Sequence, residues 1–185
     1  VSMGITTKIM RALLALEEAE KEGDPTVTVT EEMVAVEGSS MGLRAGDELP
    51  LTGLAAGMLL ASGNDAANAV ALYLDGSQEA FAERMNRRAL EIGMSNTHFV
   101  TPSGLDDEAH YSTAFDMALL AREALKNSKF RELASSGTYQ IAFDNPEKKV
   151  QYTNHNKLLW LYEGCIGVKT GFTKKSGRCL VSAAE

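Results

Sequence analysis

The chain has 185 residues, 44% of them hydrophobic and 23% charged, an ordinary balance for a folded protein with one substantial core. Its formal charge of −7 argues against sequence-independent nucleic-acid binding, which needs clustered Lys and Arg. No apolar run approaches the roughly 20 residues that a membrane-spanning helix requires.

Residues 5 to 22 predict a helix, with Ile9, Leu13 and Leu16 at helical spacing and Met10 and Leu14 widening the stripe. Its end, from Glu17 to Glu22, reads as a solvated face, and Gly23 and Pro25 stop it. Thr26 to Thr30 alternates as a short half-exposed strand. After Pro50 comes a nearly all-apolar helix through Leu51, Leu54, Met58, Leu59 and Leu60, which should be central in the core. Ser62-Gly63-Asn64-Asp65 breaks it, and a helix resumes from Ala66 to Leu74. Ser77 predicts the N-cap of a helix reaching Ile92, with Gly93 just past its end.

Thr113 begins a further helix with Asp116 three residues on, a near capping box. Phe115, Met117, Leu119 and Leu120 read as its core stripe. Ser128 is expected to cap a shorter helix. Thr138 to Phe143 and Val150 to Thr153 predict two strands joined at Asp144-Asn145-Pro146. A strand ending at Gly171 and another from Cys179 complete the set. Trp160 reads as a packing anchor, and Asn154 and Asn156 as loop scaffolding. The pattern is a helical majority with few strands, an α+β arrangement without internal repeats.

His98, His110 and His155 lack metal-ligand spacing, so structural or loop roles and no bound metal are expected. A hairpin turning near Lys174 would set Cys179 opposite about Thr170 rather than opposite Cys165. Free, half-buried thiols are therefore expected.

Three short segments carry chemistry. Lys169-Thr170-Gly171 on a strand offers an ammonium and a hydroxyl, with a glycine that lets a ligand backbone lie along the strand edge. This suits a substrate with a free carboxylate. Ser62-Gly63-Asn64 stands where a central helix breaks, and Thr6-Thr7-Lys8-Ile9-Met10 opens the first helix. Each triplet alone is unspecific. With them, in order, come Glu37-Gly38-Ser39-Ser40-Met41, Pro102-Ser103-Gly104-Leu105-Asp106-Asp107, His110-Tyr111-Ser112-Thr113 and Lys174-Lys175-Ser176-Gly177-Arg178. The ordered set resembles the penicillin-recognising serine enzymes, and within them the low-molecular-weight D-alanyl-D-alanine carboxypeptidases. The likeness spans nearly the whole chain.

That resemblance implies a β-lactamase and penicillin-binding transpeptidase-like fold, with residues 1–185 forming a single, partial catalytic domain. Relatives carry strands before the first motif and after Ala184, so outer sheet strands are expected to be missing at both ends and the chain is read as a piece. The implied reaction removes the terminal D-alanine of a peptidoglycan stem peptide through an acyl-enzyme, without a cofactor. Lys8 resembles the base, its amine depressed by burial and by cations such as Lys169. Ser62 would shuttle the proton, and Asn64 would bond the substrate and help hold the lysine. Lys169 and Thr170 would grip the terminal carboxylate of D-Ala-D-Ala or of a β-lactam. Gly171 would let the ligand lie close, and the amides of residue 5 and Phe172 would form the oxyanion hole.

One position departs from the pattern. The family's first motif is Ser-x-x-Lys, and three residues before Lys8 stands Ile5. Positions i and i+3 share a helix face, so neighbouring Thr6 and Thr7 do not fill the place. Two readings follow: a serine-type carboxypeptidase with its nucleophile replaced, or a catalytically silent homologue that binds D-Ala-D-Ala peptides or β-lactams without turnover. A β-lactamase fits less well, since no general-base loop of that kind is recognisable. The resemblance further implies an extracytoplasmic location, secreted or membrane-associated. A bare sheet edge would favour a dimer.

Overall fold

The structure, a computed structural model, describes residues 4–100, 109–173 and 177–185, with side chains throughout except at residues 4–6 and 173. The segment Pro102–Asp107, the residues Lys174 to Ser176 and the side chains of Ile5 and Thr6 therefore lie outside the described residues.

Helix α1 (Gly4–Glu22) buries Ile9, Met10, Ala12, Leu13 and Leu16 along one face. β1 (Thr26–Thr28) follows, then the short α2 (Glu31–Val34) and β2 (Glu48–Pro50). α3 (Leu51–Leu60) is buried at every position but Thr52, as a helix apolar on all sides must be. It packs on α1 and on α4 (Asn64–Asp75), and these three form the centre of the core. α5 (Gln78–Ile92), α6 (Ala114–Ala124) and α7 (Ser128–Ser135) surround α1. The hairpin of β3 (Thr138–Phe143) and β4 (Lys148–Thr153) presses Ile141 and Phe143 inward beside α3. After α8 (Leu158–Leu161), β5 (Cys165–Thr173) runs across α1 and α7 and pairs with β6 (Gly177–Ala184). The described residues thus form a mostly helical α+β fold with three two-stranded antiparallel sheets.

Local chemistry explains most boundaries. Ser77 caps α5 by accepting from Ala80 N at 3.1 Å, and Gly93 ends it at φ +90°, a backbone state that costs glycine little. The alternating segment from Thr26 forms a strand only to Thr28, paired with β2; Thr30 caps α2 instead. The helix expected to start at Ser128 is capped one residue earlier, where Asn127 Oδ1 accepts from Phe130 N at 2.9 Å. Thr113 caps α6 as expected, but no capping box closes. Asp116 instead accepts from Asn96 N and Thr97 Oγ1. Phe115 is not a core residue: it is 71% exposed, whereas Leu120 is buried. Trp160 lies over Gly137 yet remains half-exposed, a looser anchor than expected.

In the last hairpin Cys179 stands opposite Gly171, one residue from the expected Thr170, and Cys165 stands opposite Ala184. Both thiols are free and half-buried. Among the described residues neither β5 nor β6 has a second strand neighbour.

Candidate active site

Lys8 lies near the start of α1 with its side chain buried. Its Nζ donates to the carbonyl oxygen of Ser62 at 2.5 Å and to the Ser62 hydroxyl at 3.0 Å. Ser62 presents both groups because the chain turns sharply after α3, leaving this residue at φ +56°. A non-glycine residue held there costs about 1–3 kcal/mol and needs support from its surroundings.

Asp65 supplies that support. Its buried carboxylate accepts from Ser40 Oγ at 2.6 Å, from the amides of Met41, Gly42 and Leu43 at 3.0–3.1 Å, and from Ala66 N at 2.9 Å. Asn64 adds two ties to the same loop: its backbone N donates to Ser39 O at 2.7 Å and its Nδ2 to Glu37 O at 2.7 Å. Tyr152 donates its hydroxyl to Met41 O at 2.8 Å, and burial, with the charges of Asp65 and Asp47, pushes its pKa up to about 12. The break between α3 and α4 is therefore stapled to the loop of residues 37–43. Lys8 is held by Ser62 alone among the described residues, and the Asn64 amide is engaged by Glu37.

Lys169 comes from β5 and is 1% exposed. Its strand neighbours Thr170 and Gly171 are half-buried, and Phe172 is exposed. Lys169 Nζ donates to the Thr170 carbonyl at 2.7 Å.

These cations are costly to charge. Burial, then the nearby Lys8, lowers the Lys169 pKa to about 7. Burial, then Arg11, lowers that of Lys8 to about 8, against the opposing pull of Asp65. His155 is also lowered by burial and by both lysines, which sets it near the same cleft. Arg11 and Asp65 were missed by sequence reasoning. Arg11 could have been noticed as the one charge in the apolar stripe Ile9-Met10-Arg11-Ala12-Leu13. Asp65 was hidden because Ser-Gly-Asn-Asp reads as an ordinary turn.

Thr7 is buried on another face of α1, its Oγ1 3.0 Å from His110 Nε2. Val100 N donates to His110 Nδ1 at 3.2 Å, which assigns the ring proton to Nε2 and makes Thr7 the acceptor. His110 is thus structural, and no group of residues able to hold a metal occurs among the described residues.

The model for the D-alanyl-D-alanine carboxypeptidase family, peptidase S11, matches residues 2–185. The chain belongs to that family. It is 39% identical to D-alanyl-D-alanine carboxypeptidase DacF of Bacillus subtilis over 97% of this chain and 46% of that protein. To D-alanyl-D-alanine carboxypeptidase DacB2 of Mycobacterium tuberculosis it is 35% identical, over 97% of this chain and 60% of the relative. The chain thus spans roughly half the length of these curated relatives. The crystal structure of the Streptomyces K15 DD-transpeptidase superposes with a TM-score of 0.90 at 34% identity, covering all of this chain and 76% of that one.

Proposed function

We propose that this cleft binds peptidoglycan stem peptides ending in D-Ala-D-Ala, and β-lactams, and is laid out for serine-type removal of the terminal D-alanine. The observation that carries the reading is the pairing of a buried Lys8 with both oxygens of Ser62. A neutral amine has two N–H bonds, and Ser62 supplies an acceptor for each. The nitrogen lone pair is then left for the proton of an attacking hydroxyl, and the Ser62 hydroxyl proton is left for a leaving group.

With serine at position 5, its oxygen attacks the penultimate D-alanyl carbonyl while Lys8 takes the proton. The tetrahedral oxyanion sits on the amides of residue 5 and Phe172. The C–N bond then breaks, and the departing amine receives a proton relayed from Lys8 through Ser62. Water, deprotonated by the same lysine, cleaves the ester and restores the hydroxyl. Lys169 and Thr170 grip the ligand carboxylate, Gly171 gives its backbone room, and Asn64 contacts the substrate peptide through its carbonyl oxygen.

Isoleucine has no atom that attacks a carbonyl, so Ile5 leaves the chain with recognition and without turnover. The family likeness supports work outside the cytoplasmic membrane, and the bare outer edge of β6 supports pairing with a second copy. Intact-mass spectrometry after incubation with a labelled penicillin tests the site. The chain should stay unlabelled and Ile5→Ser should gain one adduct at residue 5. Labelling of the unaltered chain at Thr6 or Thr7 would overturn the assignment of position 5.

A further inference from the structure

Arg11 is one of the largest fully buried side chains, 0% exposed, and sits one helical turn beyond Lys8 on the same face of α1. Its Nη1 donates to Ala67 O at 2.9 Å, its Nη2 to Gln78 Oε1 at 3.4 Å, and its guanidinium lies 5.4 Å from the centre of the Phe81 ring. All three partners are neutral. No carboxylate comes within ion-pair distance of it among the described residues, and its Nε has no hydrogen-bond partner. Burying a guanidinium without a counter-charge works against folding. A methionine or leucine would fill the same place between α1, α4 and α5. Elsewhere on this molecule buried or half-buried arginines do have acids: Arg84 pairs with Asp75 and Glu18, and Arg88 with Glu17 and Glu123.

We infer that Arg11 is a positioning residue for the reaction, whose uncompensated charge adds to burial in favouring the neutral, proton-accepting amine of Lys8. This rests on reading Lys8 as the base. Among the described residues, the charged groups coupled electrostatically to Lys8 are Arg11 on its own helix, Asp65 at the start of α4, Lys169 on β5, and His155 from the loop before α8. Asp65 alone favours the ammonium, and its oxygens are already occupied by the loop of residues 37–43. Lys169 opposes the ammonium only while it is itself charged, and a bound carboxylate offsets it. Arg11 is not offset in that way, because it is fully buried; burial lowers its own pKa to about 9, still above that of Lys8 at about 8. It therefore acts on Lys8 whether the cleft is empty or filled.

The test is a titration of the Lys8 Cε signal in carbon-13-lysine protein, assigned with Lys8→Arg. Arg11→Met, and Arg11→Gln, which can still donate to Ala67 O, should raise the Lys8 midpoint by about one pH unit, a tenfold loss of neutral amine near neutrality. Asp65→Asn should move it the other way. Folded Arg11 variants with an unmoved midpoint would overturn the inference. Were neither variant to fold, Gln78→Glu decides: a carboxylate beside Arg11 Nη2 should raise the Lys8 midpoint, and an unmoved midpoint would overturn the inference. The acylation pH profile of Ile5→Ser, with and without Arg11→Gln, should shift in parallel. If Ile5→Ser is never acylated, the reading of Lys8 as base falls while the titration still stands.

Discussion

Lys169, proposed above to hold a carboxylate, is also a buried charge that opposes stability. Its pKa lies near 7 because the protein interior and Lys8 both disfavour its charge, yet a carboxylate ligand needs that charge. Lys169→Ala should weaken binding of a D-Ala-D-Ala peptide roughly ten- to hundredfold, the worth of a charge-assisted hydrogen bond, measurable by calorimetry. Affinity of the unaltered chain should fall as pH rises above about 7. Stability should move oppositely. Between about 7 and the ordinary 10.5, the unfolded chain keeps the proton that the folded chain has lost, so native stability rises with pH across that window. Urea melts at neutral and basic pH should show this rise, and Lys169→Met should reduce it.

At the scale of elements, the break between α3 and α4 depends on a loop distant in sequence. Asp65→Ala would strand the donors of Ser40, Met41, Gly42 and Leu43 and cost about 3–5 kcal/mol, read from denaturant melts. Ser77→Ala, which removes a single cap of α5, should cost about 1 kcal/mol. The difference separates what the sequence makes legible from what it conceals. Caps such as Ser77 and Thr113, the apolar stripe of α1 and the all-apolar α3 obey local rules, and their positions are readable from spacing alone. The Asp65 staple and the Lys8–Ser62 contact join segments far apart in the chain, and no local period encodes them; family likeness brought Lys8, Ser62 and Lys169 together on the page before geometry did. Asp116 illustrates the failure of local reading, since tertiary donors on Asn96 and Thr97 outcompete its own N-cap amide. Phe115 likewise fits a helical stripe in sequence, but nothing packs over that side of α6 to bury it.

For the whole molecule, the last hairpin is where the proposed pairing with a second copy would occur. β6 leaves Leu180 half-exposed beside the exposed Phe172, along a strand without an outer partner among the described residues. Such edges recruit strands. Sedimentation velocity should show dimer growing with protein concentration, and Leu180→Lys should return the protein toward monomer; a concentration-independent monomer would remove the proposed second copy.

The closing of this hairpin over α1 also has an electrostatic consequence. β5 brings the Lys169 nitrogen into the field of the Lys8 amine, and the nearby Asp65 carboxylate is already committed to Ser40 and backbone amides. Each of the two amines therefore disfavours the proton of the other. On the function proposed above, a ligand carboxylate would bring a counter-ion to both, so that the anion completes the protein's own charge balance as it binds.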